Sequence, residues 1–136
     1  MLIYVDTSAV LKRVFEENES DALGRAIDQA VADGDRLISS TLTRVELARG
    51  IRRRLDFEPR DRLTSAFELA TGDIAFAPMS SPIVESARVI GPPALRSLDA
   101  IHLATAIAVG AGEVWTYDDR LAAASEEMGI VARMPS

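Results

Sequence analysis

A chain of 136 residues with 48% hydrophobic content is long enough to close a core and too apolar to stay disordered. It has no cysteine, which excludes disulfide frameworks and thiolate metal sites. Its net charge of −6 excludes a uniformly basic nucleic-acid coat, although net charge says nothing about local patches.

Leu2 to Val5 is a short apolar, partly β-branched run that predicts a buried strand. It stops at Asp6, and Thr7-Ser8 offer hydroxyls to cap a helix from Ala9 to Phe15. After the polar break Glu16-Glu17-Asn18-Glu19, Leu23, Ile27 and Val31 recur at helical spacing within Ser20 to Ala32. Asp33-Gly34-Asp35 ends that helix. Arg36 to Ser39 predicts a second strand. Ser40 or Thr41 caps the next helix, whose apolar face reads as Leu42, Val45 and Leu47 with Ile51 and Leu55 beyond. Pro59 opens another helix with Leu63, Ala66, Phe67 and Ala70 inside, followed by a third strand, Ile74 to Ala77. Pro82 to Ile90 predicts a helix stopped by Gly91-Pro92-Pro93, and Ser97 or Leu98 opens an Ala-rich helix to Val109. Glu113 to Tyr117 predicts a fourth strand, Asp119 to Met128 a helix, and Ile130 to Ala132 a fifth strand at an edge. Strands alternating with helices predict a single α/β domain over residues 1–136. Its architecture is a three-layer α/β/α sandwich around a central parallel sheet of about five strands.

The longest mainly apolar segment, Ile101 to Ala111, falls short of the ~20 residues that cross a bilayer. No basic region precedes an apolar core at the first residues. The sequence therefore reads as a cytoplasmic protein with no membrane partner.

Four acids fall at matching places in this pattern. Asp6 ends the first strand, and Glu46 lies on the helix after the second. Asp99 lies in the first turn of the Ala-rich helix, and Asp118 ends the fourth strand. Taken singly, each has a plain structural reading: Asp6 and Asp118 as helix caps, Asp99 as a favourable charge at a helix start, Glu46 as a solvated residue. At one carboxyl edge they would repel and take up protons unless a cation neutralised them. Oxygen-only donors suit a hard ion, Mg²⁺ or Mn²⁺.

The motifs Val5-Asp6-Thr7-Ser8-Ala9, Ser40-Thr41-Leu42-Thr43-Arg44-Val45-Glu46-Leu47, Leu98-Asp99-Ala100-Ile101-His102-Leu103-Ala104-Thr105-Ala106 and Thr116-Tyr117-Asp118 run in order over nearly the whole chain. In that order and separation the sequence resembles the PIN-domain ribonucleases of the VapC toxin type. The resemblance implies a PIN-like fold, a Mg²⁺-dependent endoribonuclease and an acidic quartet of Asp6, Glu46, Asp99 and Asp118. Asp6 and Asp99 would touch the metal. It also implies RNA as substrate, a VapB-type antitoxin whose C-terminal segment covers the site, and a homodimer. Leu11, Val14, Phe15, Leu55, Phe57 and Leu63 are expected to form the groove for that antitoxin.

Other features carry two readings each. Seven of the fourteen arginines (Arg44, Arg49, Arg52, Arg53, Arg54, Arg60 and Arg62) lie in one span, fit either to grip phosphates or to form an ordinary solvated face with Glu58 and Asp61. His102, the single histidine, stands three residues after Asp99, where it either ligates a metal or packs and hydrogen-bonds. A Ser8–His102–Asp hydrolase lacks the Gly-x-Ser-x-Gly elbow, and Trp115 reads as core. A haloacid-dehalogenase-like phosphatase also begins with a strand ending in Asp. That resemblance calls for a second acid two residues on, where Ser8 stands, and a late lysine, whereas Lys12 is the only one. A non-catalytic module on the same fold is the remaining alternative.

Overall fold

The structure, a computed structural model, describes residues 1–136. Five strands, β1 (Leu2–Val5), β2 (Arg36–Ser40), β3 (Ile74–Ala77), β4 (Glu113–Trp115) and β5 (Val131–Arg133), pair in parallel in the order β3-β2-β1-β4-β5. Seven helices connect and cover them: α1 (Thr7–Val14), α2 (Ser20–Ala32), α3 (Thr41–Arg54), α4 (Arg60–Thr71), α5 (Ser81–Ala87), α6 (Ser97–Ala108) and α7 (Asp119–Glu127). The expected α/β/α sandwich is observed, with β3 and β5 at the edges.

Period-two alternation in β1 assigns the layers. Ile3 and Val5 enter one core with Val10, Leu23, Ile27, Leu37, Leu47, Ile51 and Trp115, under α1 to α4. Tyr4 points to the opposite face, with Ala106 and Val114. Leu103, Leu121 and Ala124 extend that second side beneath α6 and α7. Each large side chain fully buried in these cores contributes about 1.5–3 kcal/mol relative to exposure.

The chain winds outward from β1 to β2 to β3, then crosses back to place β4 on the other side of β1. The winding direction therefore reverses between β1 and β4. In open parallel sheets the loops at the carboxyl ends diverge at such a point and leave a crevice where ligands bind. Gly110, at φ +70°, supplies the left-handed residue that ends α6 before β4. No helix is long and apolar enough to cross a membrane.

Two expectations require correction. Helix α1 begins at Thr7, and its cap is Asp6, which accepts from Ala9 N–H; neither Thr7 nor Ser8 caps it, because both hydroxyls bond carboxylates instead. The inner face of α3 is Thr43, Leu47, Gly50 and Ile51, while Val45 is 57% exposed. Small Thr43 and Gly50 let α3 lie close to its neighbours, and Gly50 faces Leu11 directly. The six residues of the expected groove differ in exposure: Leu11, Val14, Phe15, Leu55 and Leu63 are partly buried against the first cluster, and Phe57 is 74% exposed.

Candidate active site at the reversal of the sheet

Asp6 leaves the end of β1 and is 4% exposed, the one buried carboxylate in the protein. Burying an ionised carboxylate costs several kcal/mol unless donors surround it. Three do. Ser8 Oγ donates to Oδ1 at 2.7 Å, Ala9 N–H to Oδ1 at 3.1 Å, and Thr116 Oγ1 to Oδ2 at 2.8 Å. The direction of the hydroxyl bonds is fixed from behind. Ser8 Oγ accepts from Tyr117 N–H at 2.8 Å and Thr116 Oγ1 from Asp118 N–H at 3.0 Å, so each hydroxyl turns its proton toward Asp6. Burial still wins: it pushes the Asp6 carboxyl above its ordinary range, against His102 and these three donors.

Asp99 sits in the first turn of α6, half-buried. Its carboxyl is also pushed up, first by burial, then by the negative charge of Asp118; Asp6 adds to the rise, and His102 and Arg96 oppose it. Asp118 caps α7, its Oδ1 accepting from Arg120 and Leu121 N–H at 2.9 and 3.1 Å. The charges of Asp118 and Asp6 thus reach Asp99 near the carboxyl ends of β1 and β4. Neighbouring Asp119 is exposed as the first residue of α7. No lysine or arginine forms an ion pair with any of the three.

Glu46 approaches from α3. Its Oε1 accepts from Thr7 Oγ1 and pairs with His102 Nε2, both at 2.7 Å. Burial pushes the Glu46 carboxyl up, but the hydrogen bonds from His102 and Thr7 outweigh it and hold the group below its ordinary range. His102 is therefore a hydrogen-bonding residue with both ring nitrogens occupied: Nδ1 meets Tyr4 Oη at 2.7 Å. It has no bond to Ser8, whose hydroxyl serves Asp6, so a Ser–His pair is absent. Sequence reasoning missed the roles of Thr7, Ser8 and Thr116 as donors to carboxylates. The hydroxyls lie inside the motifs, but their partners lie 39 and 110 positions away for Thr7 and Thr116.

The donor chemistry of this cluster suits a hard divalent ion: oxygen donors, two carboxyls raised by burial, and no paired cation. As the side chains stand, no three of them close into a coordination cage.

Arginines of the 44–62 span divide. Arg44 lies over the rings of Phe67 and Phe76, Arg54 pairs with Glu17 over Phe15, and Arg62 faces Glu58 at 3.8 Å. Arg49, Arg52, Arg53 and Arg60 are exposed with no carboxylate partner. Trp115 is buried, as expected, its Nε1 donating to Glu113.

The family model of the PIN domain matches residues 3–127. Ribonuclease VapC47 of Mycobacterium tuberculosis is 37% identical over 136 residues, covering 98% of this chain and 97% of the relative. The chain belongs to the PIN-domain family, among the VapC ribonucleases. Solved PIN structures share its backbone at low identity. The VapBC2 structure of Rickettsia felis, bound to a DNA fragment from its promoter, superposes with TM-score 0.71 at 12% identity, covering 98% of both chains. VapC20 of Mycobacterium tuberculosis, a Sarcin-Ricin loop cleaving toxin, superposes with TM-score 0.69 at 16% identity over 90% of this chain and 94% of that one. Membership sets aside the phosphatase reading, and Ser8 as a donor to Asp6 suits that outcome.

Proposed function

We propose that this VapC protein is a Mg²⁺-dependent endoribonuclease, the toxin of a toxin–antitoxin pair, with Asp6, Glu46, Asp99 and Asp118 as its working acids. The reading rests above all on three carboxylates at the sheet reversal with no basic side chain paired to them. The name of VapC47, a ribonuclease at 37% identity, supports RNA as substrate.

In this reading Asp6 and Asp99 hold the ion, and Asp118 contributes through water. When bound, Mg²⁺, or Mn²⁺ in its place, supplies Lewis acidity that offsets charge developing on the phosphate. The hydroxyls of Ser8 and Thr116 keep the Asp6 carboxylate fixed. Glu46, held through Oε1, has Oε2 free of protein donors to orient the attacking water and draw off its proton. In-line attack on a phosphodiester leaves a 5′-phosphate and a 3′-hydroxyl, and the RNA 2′-hydroxyl takes no part. The VapC relationship extends the proposal to a VapB-type antitoxin covering the acidic crevice, to a homodimer and to action in the cytoplasm.

Sequencing the 5′ ends of cellular RNA after expression tests this reading. Wild type should create new 5′-phosphate ends at recurring positions and Asp6→Asn should not. Identical ends with both proteins would overturn it.

A further inference from the structure

A buried polar chain runs beside the carboxylates without belonging to them. Tyr4, in β1, is fully buried, and His102, in α6, is 3% exposed. Their rings meet edge-on, with centroids 5.9 Å apart and planes at 66°. Tyr4 Oη lies 2.7 Å from His102 Nδ1, and His102 Nε2 lies 2.7 Å from Glu46 Oε1. A hydrophobic face would fill this volume more cheaply with a Phe and a Leu, because every buried polar group must find a partner. Here all of them do, and no buried side-chain polar atom is left unpaired.

The proton positions follow from the ends of the chain. Glu46 is an ionised acceptor, so the bond to it needs a proton on Nε2. In the neutral ring Nδ1 is then bare, and the only group facing it is the Tyr4 hydroxyl, which donates. Phenol to imidazole to carboxylate is thus one directed sequence. Its outer end is fixed in the central strand of the sheet, while Thr7 grips the same Glu46 oxygen from α1. Two donors on Oε1 stop the carboxylate from rotating and aim Oε2 in one direction.

We propose that Tyr4 and His102 are positioning residues that set the Glu46 carboxylate for the attacking water, with His102 held as its Nε2–H tautomer. The proposal rests on the ribonuclease reading of Glu46. A uniformly ¹⁵N-labelled full-length protein at pH 7.5 tests the tautomer without any activity, since the chain has a single histidine and one set of imidazole signals. The expected spectrum has Nε2 protonated and Nδ1 bare. An Nδ1–H ring, or a ring protonated at both nitrogens, would overturn the directed chain.

Kinetics supply the second arm, on an RNA bearing one mapped cleavage site. Tyr4→Phe, which adds no volume, and His102→Leu should each lower kcat by about 10–100-fold with KM nearly unchanged. His102→Gln keeps an N–H donor near the Nε2 position and should recover much of the loss. Wild-type kcat in Tyr4→Phe, or equal loss in the Leu and Gln variants at unchanged melting temperature, would overturn positioning. Should His102→Leu fail to fold, Tyr4→Phe decides. Were Asp6→Asn fully active, the ribonuclease reading would fall alone, while the imidazole spectrum still tests the chain.

Discussion

Thr116 Oγ1 donates to Asp6 Oδ2 at 2.8 Å, tying the end of β4 to the end of β1 across 110 positions. The same oxygen accepts from Asp118 N–H, so one hydroxyl serves two of the four acids. Thr116→Val keeps the volume and removes the hydroxyl. It leaves a buried carboxylate oxygen short of a donor and the Asp118 N–H short of an acceptor. The expected cost is about 1–3 kcal/mol, read as a lower urea midpoint at unchanged slope, with RNA cleavage falling as well. A midpoint equal to wild type would contradict this account of how Asp6 is held.

Asp99 makes a pH prediction. Its carboxyl lies above its ordinary value because burial, Asp118 and Asp6 oppose its ionisation. A folded pKa above the unfolded one means that the associated stability is full below the ordinary value of 3.8 and is lost as pH rises through the raised one. Asp99→Asn, which never ionises, should therefore melt higher than wild type at pH 7 in chelator, by about 1–3 °C. Loss of a favourable charge at the start of α6, worth about 0.3–1 kcal/mol, keeps that gain small. The gap should close as pH falls toward 3.8, and added Mg²⁺ should raise wild type more than the variant. Equal melting curves at pH 7 in chelator would contradict the crowding of charge.

Much of this was legible beforehand, for physical reasons. Strands flanked by Asp6, Asp33-Gly34-Asp35 and Thr71-Gly72-Asp73 announce their own ends, so the alternation of strands and helices follows from local chemistry. The placement of Asp6, Asp99 and Asp118 at strand ends and helix starts follows too, with Glu46 further along the helix after the second strand. Less legible was anything set by a distant partner. Thr7 does not cap α1 because its hydroxyl is drawn to Glu46, 39 positions away. The fourth strand stops at Trp115 rather than Tyr117, since Thr116 and Tyr117 already turn toward Asp118 and Ser8. Val45 looks like core by hydropathy but lies outside because Thr43 and Gly50 define the closer-packing face. Tyr4 and Glu46 meet at His102 over separations of 98 and 56 residues, which no local pattern reports.

Arg49 and Arg53 lie one and two turns beyond Glu46 on the same face of α3, exposed and without carboxylate partners. They are the arginines of the span best placed to meet phosphates of an RNA seated at Glu46. Replacing both with Gln should weaken RNA binding and flatten the dependence of log K on log salt by about 1–2. The fold should be unaffected, because neither side chain is buried. An unchanged slope would assign that face to solvent.

The central claim is that the acids at the sheet reversal work together through a divalent ion, and a Mg²⁺ titration of RNA cleavage by the purified protein tests it most directly. Wild type should be silent in chelator and regain cleavage with Mg²⁺ or Mn²⁺, giving 5′-phosphate and 3′-hydroxyl ends, while Asp99→Asn stays silent throughout. Undiminished cleavage by wild type in chelator, or by Asp99→Asn at any Mg²⁺ concentration, would contradict it.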